Sequence, residues 1–161
     1  LKDPRSMQII HKYLLECCRR IWDLLPDEGS RKGVEAAEKY CRGEFTWEQA
    51  SETDWHSEGS AFLFEYREDS DPDLIEYIGQ INLKRTTVGR LLVPPVYMGG
   101  VDIKELLKAA AYFANEALNY PFLSGGSVAS RKESMRQNSK FLPLDLFEIM
   151  VPVELRNKVD C

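Results

Sequence analysis

Apolar residues recur every three or four positions over much of the chain, and this spacing is typical of α-helices. The longest such stretch runs from residue 7 to residue 25 and predicts a central helix of about five turns. Its predicted buried residues are Ile10, Leu14, Cys17, Ile21, Trp22 and Leu24. Pro26 ends the helix, because a proline disfavours helical geometry in the residue before it.

The next part of the chain carries start and stop signals for two further helices. Ser30 can cap a second helix, and Gly43 closes it, since glycine readily adopts the left-handed conformation that follows many helices. Thr46 and Gln49 have the spacing of a capping box, in which each side chain bonds the backbone of the other residue. This pattern predicts a third helix over residues 47–67.

The second half of the chain contains two more predicted helices. Asp71 directly before Pro72 marks the start of a fourth helix, because proline is favoured in the first helical turn. Asp102 with Glu105 gives another capping pattern, and the strongly apolar residues 103–118 after it predict a fifth helix.

The remaining segments lack a helical period. Residues 84–100 combine β-branched residues with a proline pair and a glycine pair, which predicts an irregular crossing. We therefore expect an all-α protein, with a five-helix bundle-like domain over residues 1–123. A hinge and an apolar C-terminal tail follow over residues 124–161, and this segment is expected to dock on the bundle or on a partner subunit.

The composition is that of a globular protein, with 43% hydrophobic and 29% charged residues in 161. A chain of this length can form a stable core without disulfides or metal ions. No apolar run approaches the ~20 residues that cross a bilayer, so no membrane association is expected. The first ten residues lack the regions of a signal peptide, which favours a cytoplasmic location.

Charge is distributed unevenly along the chain. Residues 44–76 hold eleven acidic residues and one arginine, a net charge of −10, whereas the whole chain carries −5. The field of such a segment would attract a basic protein partner. The candidate partner-binding residues are Glu44, Glu48, Glu52, Asp54 and Glu58. The alternative is a solvated helix face that binds nothing.

No catalytic, metal or cofactor site is predicted. Glu48, Glu52 and His56 could share one helix face, but a zinc site of the protease type needs a second histidine. His11 and Cys18 lie seven residues apart on the first helix, which places them roughly 10 Å apart and too far for a hydrogen bond. The sequence therefore predicts no cysteine nucleophile with a histidine base.

Motifs for nucleotide or nucleic-acid binding are also missing from the sequence. No glycine-rich phosphate-binding loop occurs, and an isoelectric point near 5.2 disfavours binding to nucleic acid. The four cysteines form no CxxC pair, so they are expected to be reduced and mostly buried.

One segment of the first predicted helix has a distinctive sequence. Residues 17–22 read CCRRIW and are followed by Val34-Glu35 and Glu38. Over about residues 8–68 the chain resembles a helical module of uncharacterised bacterial proteins. Related helical families are described as immunity proteins, so the resemblance implies an α-helical bacterial protein that binds and neutralises a toxin. It implies no catalytic residue.

Together these patterns predict a non-enzymatic protein-binding module. The resemblance adds an immunity protein as one candidate of this kind. Two alternatives stay open. The first is an enzyme or small-ligand-binding protein with a pocket between helices, formed by residues distant in sequence. The second is a structural homo-oligomer assembled through the apolar residues 141–155.

Overall fold

The computed structural model describes residues 3–25, 27–68, 70–76, 79, 103–120 and 144–156. Helical residues make up 81% of this part, and no strand occurs in it, so the prediction of an α-helical chain is confirmed there. The predicted irregular crossing over residues 84–100 and the predicted domain boundary after residue 123 lie outside the described residues.

Seven helices can be given bounds in the described part of the chain. They are α1 (Pro4–Arg20), α2 (Glu28–Cys41), α3 (Trp47–Ser51), α4 (Asp54–Tyr66), α5 (Ile103–Asn119), α6 (Leu144–Met150) and α7 (Val153–Arg156). A 3₁₀ turn, Trp22–Leu24, follows α1. Residues 72–76 are also helical, and Asp71 caps them through its side chain, as its place before Pro72 predicts.

Helix α2 begins two residues earlier than its predicted cap. Asp27 is the capping residue, and its carboxylate accepts a hydrogen bond from the backbone N–H of Ser30 at 3.0 Å. Ser30 itself lies inside the first turn and is buried. Aspartate and serine are both good caps, so local sequence did not distinguish them. Gly43 follows the helix with φ of +76°, as predicted.

The helix predicted over residues 47–67 is two helices. Its capping box is present, because Thr46 N–H donates to Gln49 Oε1 at 2.9 Å. The chain then turns between α3 and α4, where Thr53 Oγ1 donates to the carbonyl of Ala50 at 2.7 Å. A hydroxyl that bonds a nearby carbonyl competes with the helical hydrogen bonds, and this contact lies at the turn between the two helices.

Helix α2 packs against α1, α4 and α5, and one apolar core lies among these helices. The C-terminal helices share that core, because Leu146, Val151 and Leu155 are buried in it. Arg20 on α1 also forms an ion pair with Asp145 at 3.2 Å. The described part of the C-terminal segment therefore packs on its own chain.

The CCRRIW segment forms the end of α1 and the start of the turn after it, and it contacts α2 through its side chains. Cys17 and Cys18 are fully buried, and Arg19 forms two hydrogen bonds with Glu38 on α2, at 2.7 and 2.5 Å. The Arg19 guanidinium also lies over Trp22, 4.1 Å from the ring centroid. Trp22 is partly buried, so the prediction that it is buried is wrong. It packs between the core and this arginine.

We expect Trp22→Ala to lower the free energy of unfolding by about 2 kcal/mol, which is less than the 3–5 kcal/mol typical of a fully buried tryptophan. The loss combines partial burial with two cation–π contacts, from Arg19 and from Arg31. Urea denaturation is the measurement. Trp55→Ala is the matched control, since Trp55 is 76% exposed and its loss should change stability by less than about 0.5 kcal/mol. Equal losses for both variants would contradict this prediction.

Candidate binding cleft

The predicted partner-binding residues divide into two groups. Glu44, Glu48, Glu52 and Glu58 are exposed, whereas Asp54 is partly buried. Glu44 is already paired with Arg42 at 2.6 Å, and this hydrogen bond lowers the pKa of its carboxyl. Glu48 lies in the first turn of α3, where its own backbone N–H lowers its pKa.

Asp54 has a structural contact at the start of α4. Its carboxylate accepts hydrogen bonds from the side-chain amides of Asn115 at 3.1 Å and Asn119 at 2.6 Å. Both asparagines belong to α5. The carboxylate therefore links α4 to α5, and we assign Asp54 to this helix contact rather than to the binding surface.

A cleft lies where the N-terminal end of α2 meets α4. Its volume is about 600 Å³. The described residues that line it are Asp27, Glu28, Gly29, Trp55, His56, Glu58, Gly59, Ser60 and Phe62. Of the predicted partner-binding residues, Glu58 alone is among them, and the structure brings it together with two carboxylates from α2 that the sequence analysis missed.

The cleft forms because α2 and α4 approach each other very closely at Gly29. A Cβ atom on this glycine would lie 2.4 Å from Ser60 Oγ and 2.6 Å from the backbone oxygen of His56. The adjacent Asp27 accepts a hydrogen bond from Ser60 Oγ at 2.5 Å in addition to capping α2. These contacts fix the floor of the cleft.

Aromatic side chains follow the cleft along α4. Trp55 is 76% exposed, Phe62 39% and Tyr66 79%. Phe62 also meets Tyr112 of α5 edge-on, with 6.2 Å between the ring centroids. Several large aromatic side chains exposed on one helix are uncommon in a monomer and are typical of a binding surface.

The cleft is acidic. Glu28 pairs with Lys32 at 2.8 Å, but this is an exposed contact within one helix and neutralises little. Glu58 makes no ion pair or hydrogen bond among the described residues, and no described lysine or arginine lines the cleft. Exposed tryptophan, phenylalanine and carboxylates together are suited to binding a cation.

A buried contact elsewhere joins a histidine to a cysteine. The Sγ atom of Cys41 lies 3.1 Å from Nδ1 of His11, although thirty residues separate them, and both residues are buried. Burial lowers the pKa of His11 to about 4, against a smaller opposing effect of the Ala117 backbone. Burial also raises the pKa of the Cys41 thiol to about 11. Both groups are held neutral, whereas a cysteine nucleophile needs a thiolate.

The sequence predicts that His11 and Cys18 lie too far apart for a hydrogen bond, and it does not indicate Cys41 as a neighbour of His11. No local signal indicates the observed contact, because it arises from the packing of α1 against α2. The break between α3 and α4 also means that Glu48, Glu52 and His56 do not share one helix face. Within the described ranges, no three residues of the metal-binding types come together.

No helix among the described residues has the length and apolar character to cross a membrane. Comparison of the chain with family models, curated proteins and solved structures gives no match. The geometry of the cleft is therefore the main basis for a functional assignment.

Proposed function

We propose that this protein is a non-enzymatic module that binds a basic protein partner through the acidic surface of α3 and α4. The observation that carries the proposal is the exposed Trp55 beside the carboxylate of Glu58 in an open cleft. Among the described residues this carboxylate has no ion pair or hydrogen bond. Protein interfaces are enriched in tryptophan, and charges around such an anchor select the partner by sign.

The distribution of charge supports the same proposal. Residues 44–76 carry a net charge of −10. From this stretch, Glu48 and Glu58 are exposed on helices, and Glu52 is exposed in the turn between α3 and α4. Charges held on helices keep a fixed pattern and can match the cations of a partner in register. Their field should also speed encounter with a basic protein.

The enzyme alternative has less support. The one contact between a cysteine and a histidine in the described part of the chain is buried, and both groups are held in their neutral forms. The homo-oligomer alternative needs apolar residues of the C-terminal segment at an interface, but Leu146, Val151 and Leu155 lie in the core of the chain itself. In the described part of this segment, Ile149 and Val153 are the large apolar residues that remain exposed. A binding module of the immunity type, with a basic toxin as partner, agrees with both observations.

The test compares two variants that carry the same change in charge. The first replaces Glu48, Glu52 and Glu58 with lysine, and the second replaces the exposed Glu16, Glu35 and Glu154 with lysine. Tagged wild-type and variant proteins capture partners from the cells of origin, and mass spectrometry quantifies them. We expect a basic protein that binds the wild type and the second variant and is lost from the first.

Surface plasmon resonance with that partner then measures the association rate. Raising the salt from 0.1 M to 1 M shortens the Debye length from about 10 Å to about 3 Å, so association should slow by about tenfold or more. The first variant should lower the association rate by a similar factor, with a smaller effect on dissociation. The proposal would be refuted by an acidic partner. It would also be refuted if neither salt nor charge reversal changed the association rate.

A further inference from the structure

The cleft between α2 and α4 has the chemistry to hold one particular side chain of a partner. We infer that an arginine of the basic partner occupies it, with its guanidinium on the ring of Trp55 and against the carboxylates of Glu58 and Asp27. This inference rests on the proposed function and names the anchor residue by which the partner is recognised.

Carboxylate oxygens in the cleft are available to a guanidinium. Glu58 has no partner among the described residues. The Oδ1 atom of Asp27 accepts the hydrogen bonds from Ser30 and Ser60, while its Oδ2 atom takes part in neither. Two carboxylates in one cleft can accept several of the five N–H groups that an arginine donates.

The aromatic groups supply the second half of the recognition. Trp55 is 76% exposed and Phe62 is 39% exposed, so the ring of each can be reached from solvent. Tryptophan gives the strongest attraction for a cation placed over an aromatic face, and arginine is the cation most often found there. Covering these rings would also remove apolar surface from water.

The chain already contains an arginine held by the same kinds of groups. Arg19 lies 4.1 Å from the ring centroid of Trp22 and donates two hydrogen bonds to Glu38. Trp55 and Glu58 lie three residues apart on α4, so they are neighbours on the helix surface. Trp55 and Glu58 thus offer the same two groups, an indole and a carboxylate, that hold Arg19. No arginine among the described residues contacts them.

The shape of the cleft favours a side chain over a free small molecule. Small-molecule sites bury most of their ligand, whereas Trp55 at this cleft remains three-quarters exposed. A side chain brought by a protein needs no such enclosure, because contacts outside the cleft hold it in place. Lysine fits less well, since its compact ammonium cannot stack on a ring and bind carboxylates in a planar fork.

Two peptide probes of equal charge test the inference on the full chain. Acetylated hexa-arginine and hexa-lysine are titrated at fixed ionic strength while amide and indole N–H signals are followed by NMR. With hexa-arginine we expect shifts of the Trp55 indole and of the Gly29 and Glu58 amides. Hexa-lysine should bind about fivefold more weakly.

Variants separate the cleft from general electrostatic attraction. Trp55→Ala and Glu58→Gln should each weaken hexa-arginine binding by about fivefold, and Trp55→Phe should restore part of the loss. Glu154→Gln is the matched control, because it removes one exposed charge outside both the cleft and the acidic surface and should change the affinity by less than about twofold. All three altered positions are exposed, and thermal melts confirm that each variant folds.

The outcomes distinguish this inference from the proposed function. Equal binding of the two peptides with no response at Trp55, together with a captured basic partner, would refute the arginine anchor and leave the proposed function standing. No binding of either peptide, together with an acidic captured partner, would refute both. A shift of signals centred on a different surface would also overturn the assignment of the cleft.

Discussion

Gly29→Ala is expected to lower the free energy of unfolding by about 3 kcal/mol, at the upper end of the range for adding a methyl group to a filled space. The new Cβ would lie 2.6 Å from the backbone oxygen of His56 and 2.4 Å from Ser60 Oγ. A backbone atom cannot rotate away, so α2 and α4 would have to separate. Denaturation in urea, monitored by circular dichroism, measures the change.

Gly59→Ala is the control for this variant. Gly59 lies in α4, and nothing lies within 4 Å of the position that its Cβ would take. Alanine is a better helix former than glycine, so this change should stabilise the protein by about 0.5–1 kcal/mol. Opposite signs for two Gly→Ala changes would identify packing rather than helix propensity as the cause, and a stabilised Gly29→Ala would contradict the contact between α2 and α4.

Acid should destabilise the protein through the buried His11. The pKa of this histidine is lowered from 6.5 to about 4 in the folded protein, mainly because burial disfavours the charged imidazole. Above pH 6.5 the ring is neutral in both the folded and the unfolded protein, so His11 then causes no loss of stability. As the pH falls from 6.5 towards 4, the unfolded chain binds a proton on His11 more readily than the folded chain does. The free energy of unfolding therefore falls by about 3 kcal/mol.

Urea denaturation at pH 7 and at pH 4.5 measures this effect in the wild type and in two variants. His11→Gln removes the buried titrating group, so its stability should fall by about 2–3 kcal/mol less between the two pH values than that of the wild type. His56→Gln is the control, because it makes the same substitution at an exposed position and leaves the buried His11 in place. The same pH dependence in all three proteins would show that His11 does not titrate as its burial implies.

Features of the fold that depend on neighbouring residues were predictable from the sequence. The capping box of Thr46 and Gln49 forms as expected, as does the left-handed Gly43 after α2. The helical period of residues 7–25 also holds, although the last residues form a 3₁₀ turn. In each case the hydrogen bonds that decide the structure join residues within one or two turns.

Features that depend on packing between distant segments were not predictable. The contact between His11 and Cys41 joins two helices, and no spacing in the sequence indicates it. The candidate cleft forms where the start of α2 meets α4, and this contact cannot be read from the sequence. Of the carboxylates in the cleft, only Glu58 was therefore among the predicted binding residues. Gly29 and Gly33, four residues apart in α2, were the available signal, since two small residues on one helix face permit a close neighbour.

Asp27 links the start of α2 to the floor of the cleft and cannot change without affecting both. Its carboxylate caps the helix and accepts a hydrogen bond from Ser60, so a substitution there would alter folding along with the proposed recognition. Trp55 and Glu58 have no such second role among the described residues, because both side chains project into solvent. Under the proposed function, substitutions at the rim could change which partner is chosen while the floor is preserved. Such an arrangement would let a binding protein follow a changing target without losing its fold.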